Sequence, residues 1–214
     1  MVEIFAKITS ELLGKVKGVI VGINGVDCSG KTTFTTRYSE YLASLGIKNT
    51  VIHIDDFHNP LKLRRKGENE IDAYYENAFN YEQLINELFE PLKKHGSIDK
   101  EVLCLNLDTD KYENIRNYQI DEETVILVEG VLLFRPPLIE YLDKKVYLHV
   151  DFEEVLKRAA ARDVPKYGEA FLDKYKNKYI PIQKRYLQEY SPEAICDILV
   201  DNNDYMSPKL KVKG

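Results

Sequence analysis

Along this chain, short unbroken apolar runs alternate with stretches whose apolar residues recur every three or four positions. The runs at 19–23, 50–54, 124–128, 145–150 and 195–200 are rich in Val and Ile and read as strands, the unbroken ones as strands buried on both faces. Between them, Phe34, Tyr38, Tyr41, Leu42 and Leu45 mark one amphipathic helix, and Leu84, Ile85, Leu88, Phe89 and Leu92 mark another over 81–94. A third buries Phe152, Val155, Leu156 and Ala159. Asn80 with Gln83, and Asp151 with Glu154, have the spacing of capping boxes. Residues 170–190 read as helix interrupted at Pro181. At the N-terminus, Phe5, Ile8, Leu12, Leu13 and Val16 predict a helix over 2–16. The alternating stretch 102–107 is expected to pair with 118–120 as a hairpin outside the main sheet, and 58–80 has no clear period. Strands alternating with helices predict an α/β fold, a parallel sheet covered on both faces, with ligands at the carboxyl ends of its strands.

The run at 19–23 leads into GVDCSGKT at 25–32, and a helical pattern follows. This octet fits G-x-x-x-x-G-K-[ST] in the strand–turn–helix setting the motif requires, so it is a P-loop. Gly25 and Gly30 remove side chains and permit unusual φ/ψ, which lets backbone N–H groups converge on a polyphosphate. The expected nucleotide-binding set is Gly25, Val26, Asp27, Cys28, Ser29, Gly30, Lys31, Thr32 and Thr33. Lys31 supplies a point charge to the β/γ-phosphates and Thr32 a hydroxyl to Mg²⁺. The helix behind them turns its positive end to the same anion.

Two further strand ends carry acids. The run at 50–54 delivers Asp55 and Asp56, either of which could take the proton of an attacking hydroxyl, and Asp55 could also help hold Mg²⁺. VILVEG at 125–130 ends in Glu129, where a carboxylate would orient Mg²⁺, since a buried charge lacking a metal or partner is costly. Arg158 and Arg162, four apart on one helix face near Gly168, suit a closing lid that neutralises transferring phosphate, against surface pairing with Glu154 and Asp163. The basic patch Lys62, Arg64, Arg65 and Lys66 reads by default as a solvated loop, with phosphate or acceptor contacts as its other use.

Composition narrows the class. A chain of 214 residues without linker or repeat predicts a single domain over 1–214, with an N-terminal helix in 1–17 and a short tail at 206–214. The net charge of −5 argues against a general nucleic-acid or membrane-surface binder. Cys28, Cys104 and Cys196 are scattered and odd in number, which suits reduced thiols in a cytoplasm. No run approaches a membrane span, and the four histidines lack metal-ligand spacing. The expected location is therefore cytoplasmic, and a homo-oligomer is compatible with the sequence.

GVDCSGKTT, HIDDFHNP, ILVEGVLL, RAAARD, then Tyr179-Ile-Pro-Ile-Gln183 with Tyr186, and finally CDILVDN, occur in an order that resembles the uridine kinase family of P-loop kinases over about 19–203. The resemblance implies a P-loop NTPase three-layer α/β/α fold with a five-stranded parallel sheet, a substrate-side hairpin and an Arg-bearing lid. It implies ATP with Mg²⁺ as donor and a small-molecule acceptor, a nucleoside or similar hydroxyl compound. By position Asp55 matches the family's catalytic aspartate and His58 replaces a tyrosine. Glu129 matches the acidic metal-site residue, and Arg158 and Arg162 the lid arginines. Asn80, followed by Tyr81, falls where the family contacts ribose hydroxyls. The chain departs at the hairpin, where Leu105-Asn106-Leu107 stands in place of the aromatic residues and histidine that read a pyrimidine.

The expected activity is ATP-dependent phosphorylation of a small-molecule hydroxyl, with Asp55, Lys31, Arg158 and Arg162 catalytic. Asp55, His58, Asn80 and Tyr81 would face the acceptor, and Thr32, Glu129 and Asp55 the metal. The rival within enzymes is a related kinase for pantothenate, a nicotinamide riboside-like nucleoside or a sugar. A nucleotide-hydrolysing switch is the rival from another class, disfavoured because no Asn-Lys-x-Asp motif is present.

Overall fold

The run at 19–23 forms β1 (Ile20–Gly25), every residue of which is buried because the strand lies inside a sheet with a helical layer on each side. The structure is a computed structural model and describes residues 1–12 and 18–211. The other strands are β2 (Asn49–His53), β3 (Ile98–Asn106), β4 (Lys111–Ile120), β5 (Val125–Gly130), β6 (Lys144–His149), β7 (Ile198–Asp201) and β8 (Lys209–Lys211). The main sheet has the order β2-β5-β1-β6-β7-β8. Its first five strands are parallel, as expected. The sixth, β8, lies antiparallel on β7, so part of the stretch assigned to a tail is a sheet edge.

The pleat divides β1 between two cores. Val21 and Ile23 join Leu127, Val146 and Leu148 beneath α1 (Val2–Leu12) and α2 (Lys31–Ser44), where Phe5 meets Phe34 edge-on at 5.2 Å. Ile20 faces the other way with Ile52, Ile126 and Val128. Leu13 and Val16, placed in the first helix by their spacing, lie outside the described residues. Leu45 is the C-cap of α2 and 53% exposed. The next residue, Gly46, has φ 74°. Its amide and that of Ile47 close on the carbonyls of Ala43 and Leu42, ending the helix in a Schellman turn.

Residues 58–80 hold two short helices, α3 (Leu61–Arg64) and α4 (Glu70–Asn77). Helix α5 follows over 81–95, α6 is Phe152–Tyr167, α7 spans 170–190 and α8 is Pro192–Ile195. Pro181 does not interrupt α7. The turn before it, Tyr175–Tyr179, widens to a π-helix in which the Ile180 amide reaches the Tyr175 carbonyl. Ile85–Phe89 does the same before Pro91, with the Glu90 amide on Ile85. Proline brings no amide and its ring crowds the carbonyl four residues back, and one extra residue in the turn relieves both conflicts. The pair β3–β4 forms its own two-stranded hairpin outside the main sheet, as expected, but in another register: 118–120 pair with 98–100, and 102–106 pair with 111–116, because both strands are longer than the alternating stretch.

Candidate functional site

The loop after β1 is shaped by two glycines. A Cβ on Gly25 would lie 2.6 Å from Ser29 Oγ and 2.7 Å from the Leu148 carbonyl, and Gly30 holds φ 85°, where side chains are strained. Gly30 is also the N-cap of α2 and offers no side-chain acceptor, so the first amides of that helix are left for an anion. Lys31 is buried, and its Nζ donates to the Val26 carbonyl at 2.9 Å, which folds the ammonium over the loop.

Glu129 ends β5 beside this loop. The Thr32 hydroxyl donates to its Oε1 at 3.0 Å and His53 Nδ1 does so at 2.6 Å. Burial opposes ionisation of Glu129, but the His53 hydrogen bond and the Lys31 charge outweigh it and hold the carboxyl below its usual range. The same hydrogen bond raises the His53 pKa. Among the described residues no three His, Cys, Asp or Glu side chains cluster closely enough to cage a metal.

Beyond β2, the 3₁₀ turn Ile54–Phe57 separates the two adjacent acids. Asp55 lines a cleft of about 570 Å³ together with Asp27, Lys31, Thr32 and Glu129. Asp56 instead receives the Nε and Nη2 of Arg116 at 2.8 and 2.7 Å, a two-pronged tie to β4. His58 also lines the cleft, and its Nδ1–H donates to the Asp55 carbonyl at 2.8 Å. Burial lowers its pKa against the pull of the Asp55 charge. In the neutral ring, Nε2 is then an acceptor.

Arg158 and Arg162 reach the cleft from α6, and each also makes the ion pair that was its alternative reading. Arg158 Nε donates to Glu154 at 3.1 Å, while its Nη atoms hold the carbonyls of Cys28, Asn202 and Asn203. Arg162 grips Asp163 through Nε and Nη2, both at 2.9 Å, and the Tyr175 hydroxyl at 2.8 Å. The lid therefore carries fixed charge held by named acceptors.

Asn80 and Tyr81, expected to face the acceptor, do not line the cleft. The Asn80 side chain accepts the Gln83 amide at 3.0 Å, because the capping spacing places it at the start of α5. The Tyr81 hydroxyl accepts from Arg135 Nε and Nη2 at 3.0 and 2.9 Å inside the core. The cleft takes further walls from Tyr74 and from Leu107 of the hairpin on one side, and from three residues on the lid that were not assigned to it from the sequence, Phe171, Tyr175 and Tyr179. The four-residue spacing of 171, 175 and 179 on one helix was the signal that could have found the last three. Asp27, a variable position of the motif, faces the cleft and accepts from Gln183 Nε2 at 3.2 Å. Burial raises its pKa while Lys31 opposes the rise.

Residues 20–190 match the phosphoribulokinase/uridine kinase family. A uridine kinase from Bacillus cereus strain B4264 is 26% identical over 195 residues, which cover 88% of this chain and 87% of the relative. Among solved structures, one described as a possible uridine kinase from Bacillus stearothermophilus aligns over 92% of this chain and 97% of its own, with TM-score 0.73 and 24% identity. A D-glycerate 3-kinase from Cryptococcus neoformans shares the fold at TM-score 0.60 and 13% identity, covering 98% of this chain and 96% of its own. With the family match running over residues 20–190, most of its length, this chain belongs to the phosphoribulokinase/uridine kinase family.

Proposed function

We propose that the protein transfers the γ-phosphoryl group of ATP to a hydroxyl of a small molecule, in the manner of a uridine kinase. The observation that carries this is the convergence of the P-loop, Glu129, Asp55, Arg158 and Arg162 on one cleft. The chain fits nucleotide and metal at two places: the loop where a Cβ on Gly25 would collide, and the oxygen pair Thr32–Glu129. A set with so few protein ligands suits Mg²⁺, which keeps waters and substrate phosphates in its shell. When bound, the ion would neutralise charge on the phosphates.

The chain's own groups do the rest. Lys31 and the loop amides bind the β/γ-phosphates. Asp55 accepts the proton of the acceptor hydroxyl as that oxygen bonds to the γ-phosphorus and the bond to the ADP oxygen breaks. Arg158 and Arg162 stabilise negative charge on the group in transit. Positioning and electrostatics are what this reaction asks of a protein, so a few residues suffice.

A second reading, a kinase of the same type for a non-pyrimidine acceptor, is favoured by Leu107. This aliphatic residue lines the cleft where base stacking, worth about 1–3 kcal/mol, would call for an aromatic ring. Competition among uridine, cytidine and non-nucleoside alcohols at equal concentration, with ATP, separates the two. Uridine and cytidine clearly above all others would establish the first reading. ATP turnover that ignores every alcohol would instead favour a nucleotide-hydrolysing switch.

A further inference from the structure

The cleft contains a guanidinium for which phosphoryl transfer has no stated use. Arg64, the last residue of α3, lines the cleft beside His58, Tyr74 and Leu107. Its Nε is buried and has no hydrogen-bond partner among the described residues. Its ion pair is with Asp110, whose Oδ1 stands 3.5 Å from Nη2, beyond the usual range of a hydrogen bond. That oxygen is already committed, since it accepts the Leu61 amide at 2.7 Å and so fastens α3 to the turn of the β3–β4 hairpin. Asp110 thus places Arg64 more than it satisfies it.

An arginine fork offers planar donors that match a carboxylate or phosphate in two-pronged fashion, and an unpaired buried N–H is costly unless something meets it. Among the described residues, four Lys and Arg side chains line the cleft: Lys31, Arg64, Arg158 and Arg162. Three of them serve the nucleotide phosphates in the reading above. Asp27 and Asp55 line the same cleft, so an acceptor carrying negative charge is tolerated only where a cation faces it.

We propose that the acceptor is an anionic alcohol, a small hydroxy compound bearing a carboxylate or phosphate. Arg64 binds that anion while the hydroxyl reaches Asp55. The proposal rests on the phosphotransfer reading of the cleft and makes Arg64 its specificity residue.

Two matched pairs, gluconate with glucose and ribose 5-phosphate with ribose, together with uridine, are assayed as acceptors with wild type, Arg64→Gln and Arg64→Lys. Calorimetry with the same compounds, in the presence of a non-hydrolysable ATP analogue, reads binding apart from turnover. One anion is expected to exceed its neutral partner and uridine, and which one it is identifies carboxylate or phosphate. Arg64→Gln should raise its KM on the order of ten- to a hundredfold, with kcat within a few-fold and the KM for ATP unchanged. Arg64→Lys should recover part of that loss. A neutral acceptor equal to or better than both anions overturns the proposal and leaves the kinase reading standing. So does an Arg64→Gln variant with unchanged KM, or one whose KM for ATP rises equally. If no compound is phosphorylated, the kinase reading falls and calorimetry alone decides. Anion binding lost in Arg64→Gln then supports the assignment, and no anion binding in wild type ends it.

Discussion

At the scale of single residues, the cleft assigns different work to neighbours that look alike in sequence. Lys31 is the charge nearest the loop amides, and one lost transition-state donor of this kind is worth roughly 3 kcal/mol. Lys31→Ala should therefore lower kcat/KM about a hundredfold or more, and near-normal steady-state rates would remove the P-loop from the mechanism. Asp55 and Asp56 are adjacent, and from the strand end alone either could serve as the base. The structure turns Asp55 into the cleft and gives Asp56 to Arg116. Asp55→Asn should abolish transfer while ATP binding stays measurable by calorimetry, and Asp56→Asn should be much milder. The reverse ranking would move the base to Asp56. Asp27 shows why such details stay hidden in sequence, because the motif lets any residue stand there and only packing brings Gln183 to it.

At the scale of elements, what was legible is what local pattern controls. The strand runs, the P-loop and the cap at Asn80 each announce themselves within a dozen residues. Arg116 on Asp56 and Asp110 on Leu61 depend on partners far along the chain, so no local period reports them. Strand β8 pairs close by in sequence, but at three residues it is too short to show an alternation. Pro181 was legible but its consequence was not, since the same proline can break a helix or be absorbed by a π turn. Tyr175 and Tyr179 reach the cleft from that turn. Restoring regular α geometry would shift the register by one residue, about 100° of rotation about the helix axis. Pro181→Ala should leave thermal stability within about 1 kcal/mol, because alanine favours helix. It should nevertheless impair turnover, because the lid aromatics and the Arg162–Tyr175 contact would turn away from the cleft. Unchanged kcat and KM in a folded Pro181→Ala protein would show that the π turn is incidental to the site.

At the scale of the whole molecule, the two cores lock the sheet, but the end of β6 is tied to α8 through polar contacts that pH can break. His149, the last residue of β6, meets Glu193 of α8 through Nδ1 at 2.6 Å and Asp151 through Nε2 at 3.3 Å. The Glu193 hydrogen bond raises the His149 pKa from its ordinary 6.5, and the same bond lowers Glu193 from 4.5. The signs define a window. A raised histidine contributes stability in full below 6.5 and loses it as pH climbs through the folded-state value. A lowered glutamate contributes above 4.5 and loses it as pH falls through its own. The pair is therefore complete between about pH 4.5 and 6.5 and weakens toward alkaline pH as the imidazole is deprotonated. Glu193 is partly open to solvent, so the contribution should not exceed about 1 kcal/mol. His149→Gln should consequently lower the unfolding midpoint near pH 6 and have a smaller effect near pH 9. Thermal melts of both proteins across that range test it. A difference that is flat with pH, or grows toward pH 9, would mean that His149 acts through packing at the sheet end rather than through its charge.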